Sequence, residues 1–281
     1  ITAINPMGNA PQNHQISIYD PSMPAAKMEI TMTGATGGTN PRDLPGLLVQ
    51  LDASALADSN GSVLSSWPDS SGSGHPLDQV RGLPTVKLSP ELGGRKVVSF
   101  DGLSQMFSTY DFGSSLSEYS VFALARHKGD ANETVVGSVG SEWVFGWGAN
   151  SSSFWKMGSV LSQSVPADSS WHLLAGSYDK EGKAVLWRDS VRITEQTIAP
   201  GSNTTPRRLA LGGSGTNDLF SHSEVAEVLF FNRALNASEF SAMQQYLRVK
   251  WQGGSLTNFP LLVWMGSAFH PDFSHATFAD P

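Results

Sequence analysis

The sequence contains no cysteine. That excludes a disulfide framework, thiol catalysis, iron–sulfur clusters and cysteine-type zinc sites. Charge is scarce too. Asp, Glu, Lys and Arg make up 15% of the 281 residues, against about 25% in an average globular protein. Their balance is −7. This runs against a general nucleic-acid binder, which clusters Lys and Arg against phosphates. No apolar run approaches the ~20 residues of a membrane span, and the stretch 261–265 (Leu-Leu-Val-Trp-Met) is far too short, so no membrane insertion is expected. The hydrophobic share of 40% still suffices for a core and excludes disorder as a whole-chain state.

What the chain has in quantity is punctuation, with 28 Gly and 16 Pro. Many turns and short strands suit a β-rich exported protein. The first residue is Ile1 rather than Met, which reads as processing or trimming of a longer chain. Three parts follow. Residues 1–45 carry Pro6, Pro11, Pro21, Pro24, Pro41 and Pro45, too many for a compact domain, and read as an extended arm or the tail of a preceding module. Two strand-like pieces lie within it, at 15–19 and 28–32. Residues 253–281 form an extension rich in aromatics, expected to dock on the domain or on a neighbour.

Between them, residues 46–252 hold short apolar or alternating runs at 47–51, 97–100, 119–126, 134–139, 142–147, 154–157, 171–178, 184–188, 191–196, 208–211 and 225–231. Gly, Asn, Asp or Ser clusters separate them. Parallel sheets need a helix in each crossover, and none is visible. The expected fold is therefore all-β, an antiparallel β-sandwich. One short C-terminal helix is expected to pack on it. Asn236 and Glu239 have capping-box spacing, and Phe240, Met243, Leu247 and Trp251 form one apolar stripe.

Several pieces in order carry a resemblance. They are 46–54 (Gly-Leu-Leu-Val-Gln-Leu-Asp-Ala-Ser), 67–72 (Trp-Pro-Asp-Ser-Ser-Gly) and Phe100-Asp101-Gly102. Then come Trp171-His172 with Tyr178-Asp179, and finally Ala226-Glu227-Val228 with 232–235 (Asn-Arg-Ala-Leu) ahead of the helix. Together, over 46–252, these resemble the laminin G-like, concanavalin A-like jelly-roll domains of bacterial exported proteins. One departure is Ser190, where that pattern has Gly after Asp189. The resemblance implies a jelly roll, and relatives of this kind that hold Ca²⁺ use loop oxygens. Asp69, Asp101, Asp179 and Asp218, all at expected turns, are the candidate metal ligands. The alternative, that these carboxylates only cap turns, stays open.

Jelly rolls of this class include glycanases and lyases, so the resemblance leaves catalysis open. Retaining glycosidases need two carboxylates about 5 Å apart. Glu224 and Glu227 are three apart on an expected strand and should face opposite ways. No catalytic residue is assigned. The seven His are scattered, and His172 reads as structural. Arg233 is expected to pair with a carboxylate such as Glu227. The best binding candidate is an aromatic hairpin. Trp143, Phe145 and Trp147 alternate onto one face, Asn150 lies in the polar loop, and Trp155 opens the return strand. Trp187 is added from a later strand. A flat aromatic face suits the apolar faces of sugar rings, but the same face could be the sandwich core.

Three functions follow. The leading one is a non-catalytic extracellular or surface module binding glycan or a protein partner. The second is a structural surface or virion component whose terminal arms contact neighbouring subunits as a homo-oligomer. The third, with least support, is a polysaccharide-cleaving enzyme.

Overall fold

Short apolar runs broken by Gly-, Ser- and Asp-rich turns fold as strands here. The computed structural model describes residues 39–112, 116–128, 133–147, 153–157, 160–163, 168–201, 204–214 and 220–252. The strand-like pieces at 15–19 and 28–32 and the extension 253–281 lie outside the described residues. Gly38–Ser255 is one compact unit. Its strands in chain order are β1 (Leu47–Asp52), β2 (Gln79–Arg81), β3 (Thr85–Ser89), β4 (Arg95–Ser99), β5 (Gln105–Phe107), β6 (Tyr119–His127), β7 (Glu133–Val139) and β8 (Val144–Trp147). They continue with β9 (Ser153–Lys156), β10 (Val160–Gln163), β11 (Trp171–Tyr178), β12 (Lys183–Arg188), β13 (Val191–Thr197), β14 (Arg208–Leu211) and β15 (Ser223–Phe231). Among the described residues one α-helix follows, α1 (Ala237–Gln252).

The strands form two antiparallel sheets packed as a sandwich. One runs β13-β12-β11-β6-β15-β4-β3, with β1 also on β15; the other runs β10-β9-β8-β7-β14-β5-β2. The first sheet has a second cover, because α1 lies on its outer face. On β6, Tyr119 packs across the sandwich against Trp143 and Trp155, while Phe122 packs outward on Phe240 of α1. Both faces are covered, so β6 and β15 read as near-continuous apolar runs rather than strict alternation. The helix begins as expected. Asn236 Oδ1 accepts the Glu239 N–H and a Glu239 carboxylate oxygen accepts the Asn236 N–H, each at 3.0 Å. Phe240, Met243, Leu247 and Trp251 are its buried stripe.

The sheets approach closely at Gly176. A Cβ there would meet the Trp155 ring at 2.8 Å, so the indole from one sheet lies on the bare backbone of the other. Asp189 and Ser190 both have positive φ, 53° and 69°, the geometry of a two-residue hairpin turn. Ser190 therefore occupies a position that favours Gly.

One strand departs from simple alternation. On β15, Val225 pairs with Ala125 but Glu227 pairs with Leu124, so Ala226 is a bulge. Glu224 lies opposite Arg126 and Glu227 opposite Leu124, two residues apart on β6. The two glutamates therefore share the outer face, contrary to the expectation from their spacing, because the extra residue shifts the phase.

Candidate ligand site

The aromatic hairpin is core. Trp143, Trp147 and Trp155 are 0%, 2% and 0% exposed. Trp143 Nε1 donates to Tyr119 Oη at 2.7 Å, and Tyr119 donates to the Thr204 carbonyl at 2.8 Å. Their shared face is thus the inner face, and these three residues are corrected from ligand contacts to packing. Trp187 is half-buried and packs on Phe240 with ring centroids 4.3 Å apart, which fastens α1 to β12. Asn150 lies outside the described residues.

The candidate metal ligands serve separate turns. Asp69 is the hub of its loop. Its Oδ1 accepts N–H groups from Gln50 and Ser71 at 2.9 Å, and its Oδ2 accepts the His75 N–H at 3.0 Å and the Ser71 hydroxyl at 2.7 Å. Burial alone would raise this carboxyl, but those donors outweigh it and hold Asp69 below its ordinary range. Asp101 accepts the Leu103 N–H, and Asp179 accepts the N–H groups of Glu181 and Lys183. Among the described residues no three of His, Asp and Glu gather as a metal group. Asp218 lies outside them. Asp69, Asp101 and Asp179 each cap their own turn.

The two outer-face glutamates are both committed. Glu227, at 0% exposure beneath α1, accepts from Lys250 Nζ and Trp251 Nε1 at 2.6 Å, Gln50 Nε2 at 2.8 Å and Tyr246 Oη at 3.0 Å. Burial pushes its carboxyl up, against the pull of Lys250. Arg233, expected on Glu227, instead makes a two-point contact with Glu239 at 2.7 and 2.9 Å and donates to the Pro45 carbonyl. It ties the start of α1 to the entry of β1.

Beside Gln252 of α1, the described residues of the same face line a cleft of about 440 Å³. It is lined by Glu91, Leu92, Arg126, Ser169, Ser170, Trp171 and Gln252. Arg126 and Trp171 are directly opposed on β6 and β11, and the guanidinium sits 5.2 Å from the indole centroid. Arg126 Nε donates to Glu224 at 2.6 Å and Nη1 to Glu91 at 2.9 Å; Lys128 also holds Glu224, at 2.9 Å. Glu91's own backbone N–H, Arg126 and the Ser89 hydroxyl hold the Glu91 carboxyl down at about 2. Trp171 is buried, and its Nε1–H has no hydrogen-bond partner among the described residues.

The wall of this cleft is clamped from behind. Asp168 Oδ1 accepts the Ser170 N–H at 2.8 Å and lies 2.7 Å from His172 Nε2. His172 Nδ1 lies 2.6 Å from Asp189, whose other oxygen accepts the Leu173 N–H. Arg188 comes within 2.6 Å of His172 Nε2. Burial and Arg188 disfavour the imidazolium, but two carboxylates outweigh them, so its proton is held above the usual pH. His172, read from sequence as structural, has acid partners that spacing does not reveal, because Asp189 arrives from the next hairpin.

Residues 112–241 match the family described as the concanavalin A-like lectin/glucanases superfamily, laminin G type. Among curated protein sequences none matches the chain. Solved structures similar to it include domain 4 of AbnA, an extracellular arabinanase from Geobacillus stearothermophilus, in complex with arabinotriose. It has 18% identity and a TM-score of 0.53, covering 71% of this chain and 98% of that one. Two others are the binding domain of Paraclostridial Mosquitocidal Protein 1 and that of botulinum neurotoxin DC in complex with rat synaptotagmin II. Each has 12% identity, a TM-score of 0.53 and 74% coverage of this chain. This chain covers 53% and 52% of those two structures. At such identities the likeness shows the fold alone. The match over 112–241, from the entry to β6 into α1, bears out the laminin G-like, concanavalin A-like resemblance carried by the sequence.

Proposed function

We propose that this protein is a non-catalytic binding module that works outside the cell or on a cell or virion surface and recognises a glycan or a protein partner. The observation that carries it is the state of the outer-face carboxylates. A glycosidase pair needs one acid able to deliver a proton and one free base, both open to substrate. Glu224 is ionised, because Arg126 and Lys128 outweigh the effect of burial and hold it below its ordinary range. Glu227 carries the raised carboxyl but is sealed under α1. Glu224 is itself buried, so neither carboxylate is open to a substrate. The similar solved domains support the binding reading, since one was solved with an oligosaccharide and another with a protein.

The test is to screen the full chain on a glycan array and in pull-downs, alongside reducing-end release from neutral and anionic polysaccharides. Retention of a glycan or protein without release is expected. Turnover abolished by Glu224→Gln would overturn the non-catalytic reading, and silence across every saccharide would remove its glycan form.

A further inference from the structure

We infer that the cleft at the end of α1 is a saccharide subsite, selective for a neutral, hydroxyl-rich sugar. The inference rests on the binding-module reading and adds the place and the ligand class. Its volume of about 440 Å³ lies within the ~300–1,000 Å³ of small-molecule sites. Its lining is unlike an apolar groove. Glu91 supplies an exposed acceptor, Arg126 supplies donors, and Ser169, Ser170 and Gln252 supply groups that do both.

The charges choose the ligand. Arg126 is already divided between Glu224 and Glu91, so an incoming anion meets a spent cation and the bare edge of Glu91. An incoming cation meets Arg126 and Lys128 behind Glu91. A sugar hydroxyl avoids both penalties, since it donates to Glu91 and accepts from Arg126 in one contact. Stacking on Trp171 is not available in the usual way, because the guanidinium already lies over the indole. Recognition is thus by hydrogen bonds along the edge of a ring.

The site is also built ahead of its ligand. Ser170 is held by the Asp168–His172–Asp189 chain, and Arg95 Nη1 donates to the carbonyls of Leu92 and Trp251 at 3.3 Å, joining the opposite wall to the helix end. Preorganised walls lower the ordering cost of binding.

The experiment is calorimetric titration of the full chain with arabinotriose, a neutral hexose trisaccharide and a sialylated trisaccharide. Variants are Glu91→Ala and Ser170→Trp, both at exposed positions, with Leu103→Ser as a control on an exposed residue outside the cleft lining. Melting curves verify folding. A neutral trisaccharide should bind, at least tenfold more weakly in both cleft variants and unchanged in Leu103→Ser. Neutral binding that survives both cleft variants would overturn the cleft while leaving the binding-module reading intact. A preference for the sialylated ligand, lost in the cleft variants, would overturn the neutral class. No binding of any trisaccharide by folded wild-type protein would remove the glycan reading and this inference with it.

Discussion

Replacing Lys250 by Met tests the electrostatic lock between α1 and the sheet. The ammonium lies 2.6 Å from both Glu227 and Asp52. Met keeps the stem but leaves a buried carboxylate with Gln50, Tyr246 and Trp251 as its remaining donors. Breaking a buried pair typically costs about 3–5 kcal/mol. Three surviving donors place this case near the lower end, about 3 kcal/mol, which for a domain of this size lowers Tm by roughly 6–12 °C. The deficit must depend on pH. Burial pushes the Glu227 carboxyl up, so the folded state favours its protonated form. That contribution is fully present below the unfolded carboxyl value and is lost as pH rises through the folded one. Losing the cation raises the carboxyl further, and the variant recovers stability relative to wild type on going from pH 7 towards pH 5. Urea unfolding followed by tryptophan fluorescence at both pH values measures this. A loss below about 1 kcal/mol at pH 7, or a gap that widens in acid, refutes the lock as described.

Other outcomes follow from the same contacts. His172 is raised and Asp168 depressed to about 2, so the clamp acts between them. The His172 contribution fades as pH climbs through its raised value, and that of Asp168 fades as pH falls towards about 2. With Asp168 and Asp189 partly exposed, His172→Gln should cost only about 1 kcal/mol near pH 5.5 and less at pH 8, read by denaturation and by NMR titration of the imidazole. Gly176→Ala drives a methyl into the Trp155 ring and should cost about 1–3 kcal/mol; a neutral result in thermal melts would deny the close approach of the sheets. Trp155→Ala should cost about 3–5 kcal/mol, and a folded variant with native stability would mean the indole is not core.

The sandwich was legible because its signals are local. A strand needs only a short apolar run and a turn, and the capping box of α1 fits within four residues. Four strands escaped, β2, β3, β5 and β10. They have three to five residues each, and β3 is wedged between Pro84 and Pro90. The loop from Trp67 to Gly72 was recognisable, and its reason is now plain: one carboxylate, Asp69, organises backbone from β1 and from its own turn. What stayed hidden depends on distant partners. Alternation shows that Trp143, Phe145 and Trp147 share a face but not which face, and Gly176 in the other sheet decided that. The bulge at Ala226 has no Gly or Pro beside it to mark it. The cleft draws Glu91, Arg126, Trp171 and Gln252 from four separate segments, so no spacing could announce it.

Two charge clusters on one face show how cover by α1 separates a sealed pair from one at the surface. Glu227 with Lys250, and Glu224 with Arg126, are the same chemistry on neighbouring stretches of β15. The bulge puts both on the outer face, so the strand itself does not distinguish them. The helix does. Under its last turns Glu227 is sealed and its charges act only as a lock. The Arg126 pair instead lines the cleft beside Gln252, with Glu91 55% exposed at its rim among the described residues. Buried polar groups that are satisfied specify one packing; the same groups left at a boundary can exchange partners with a ligand. The proposed subsite therefore needs no catalytic constellation, since its donors and acceptors are already aligned by the pairs that hold the sheet.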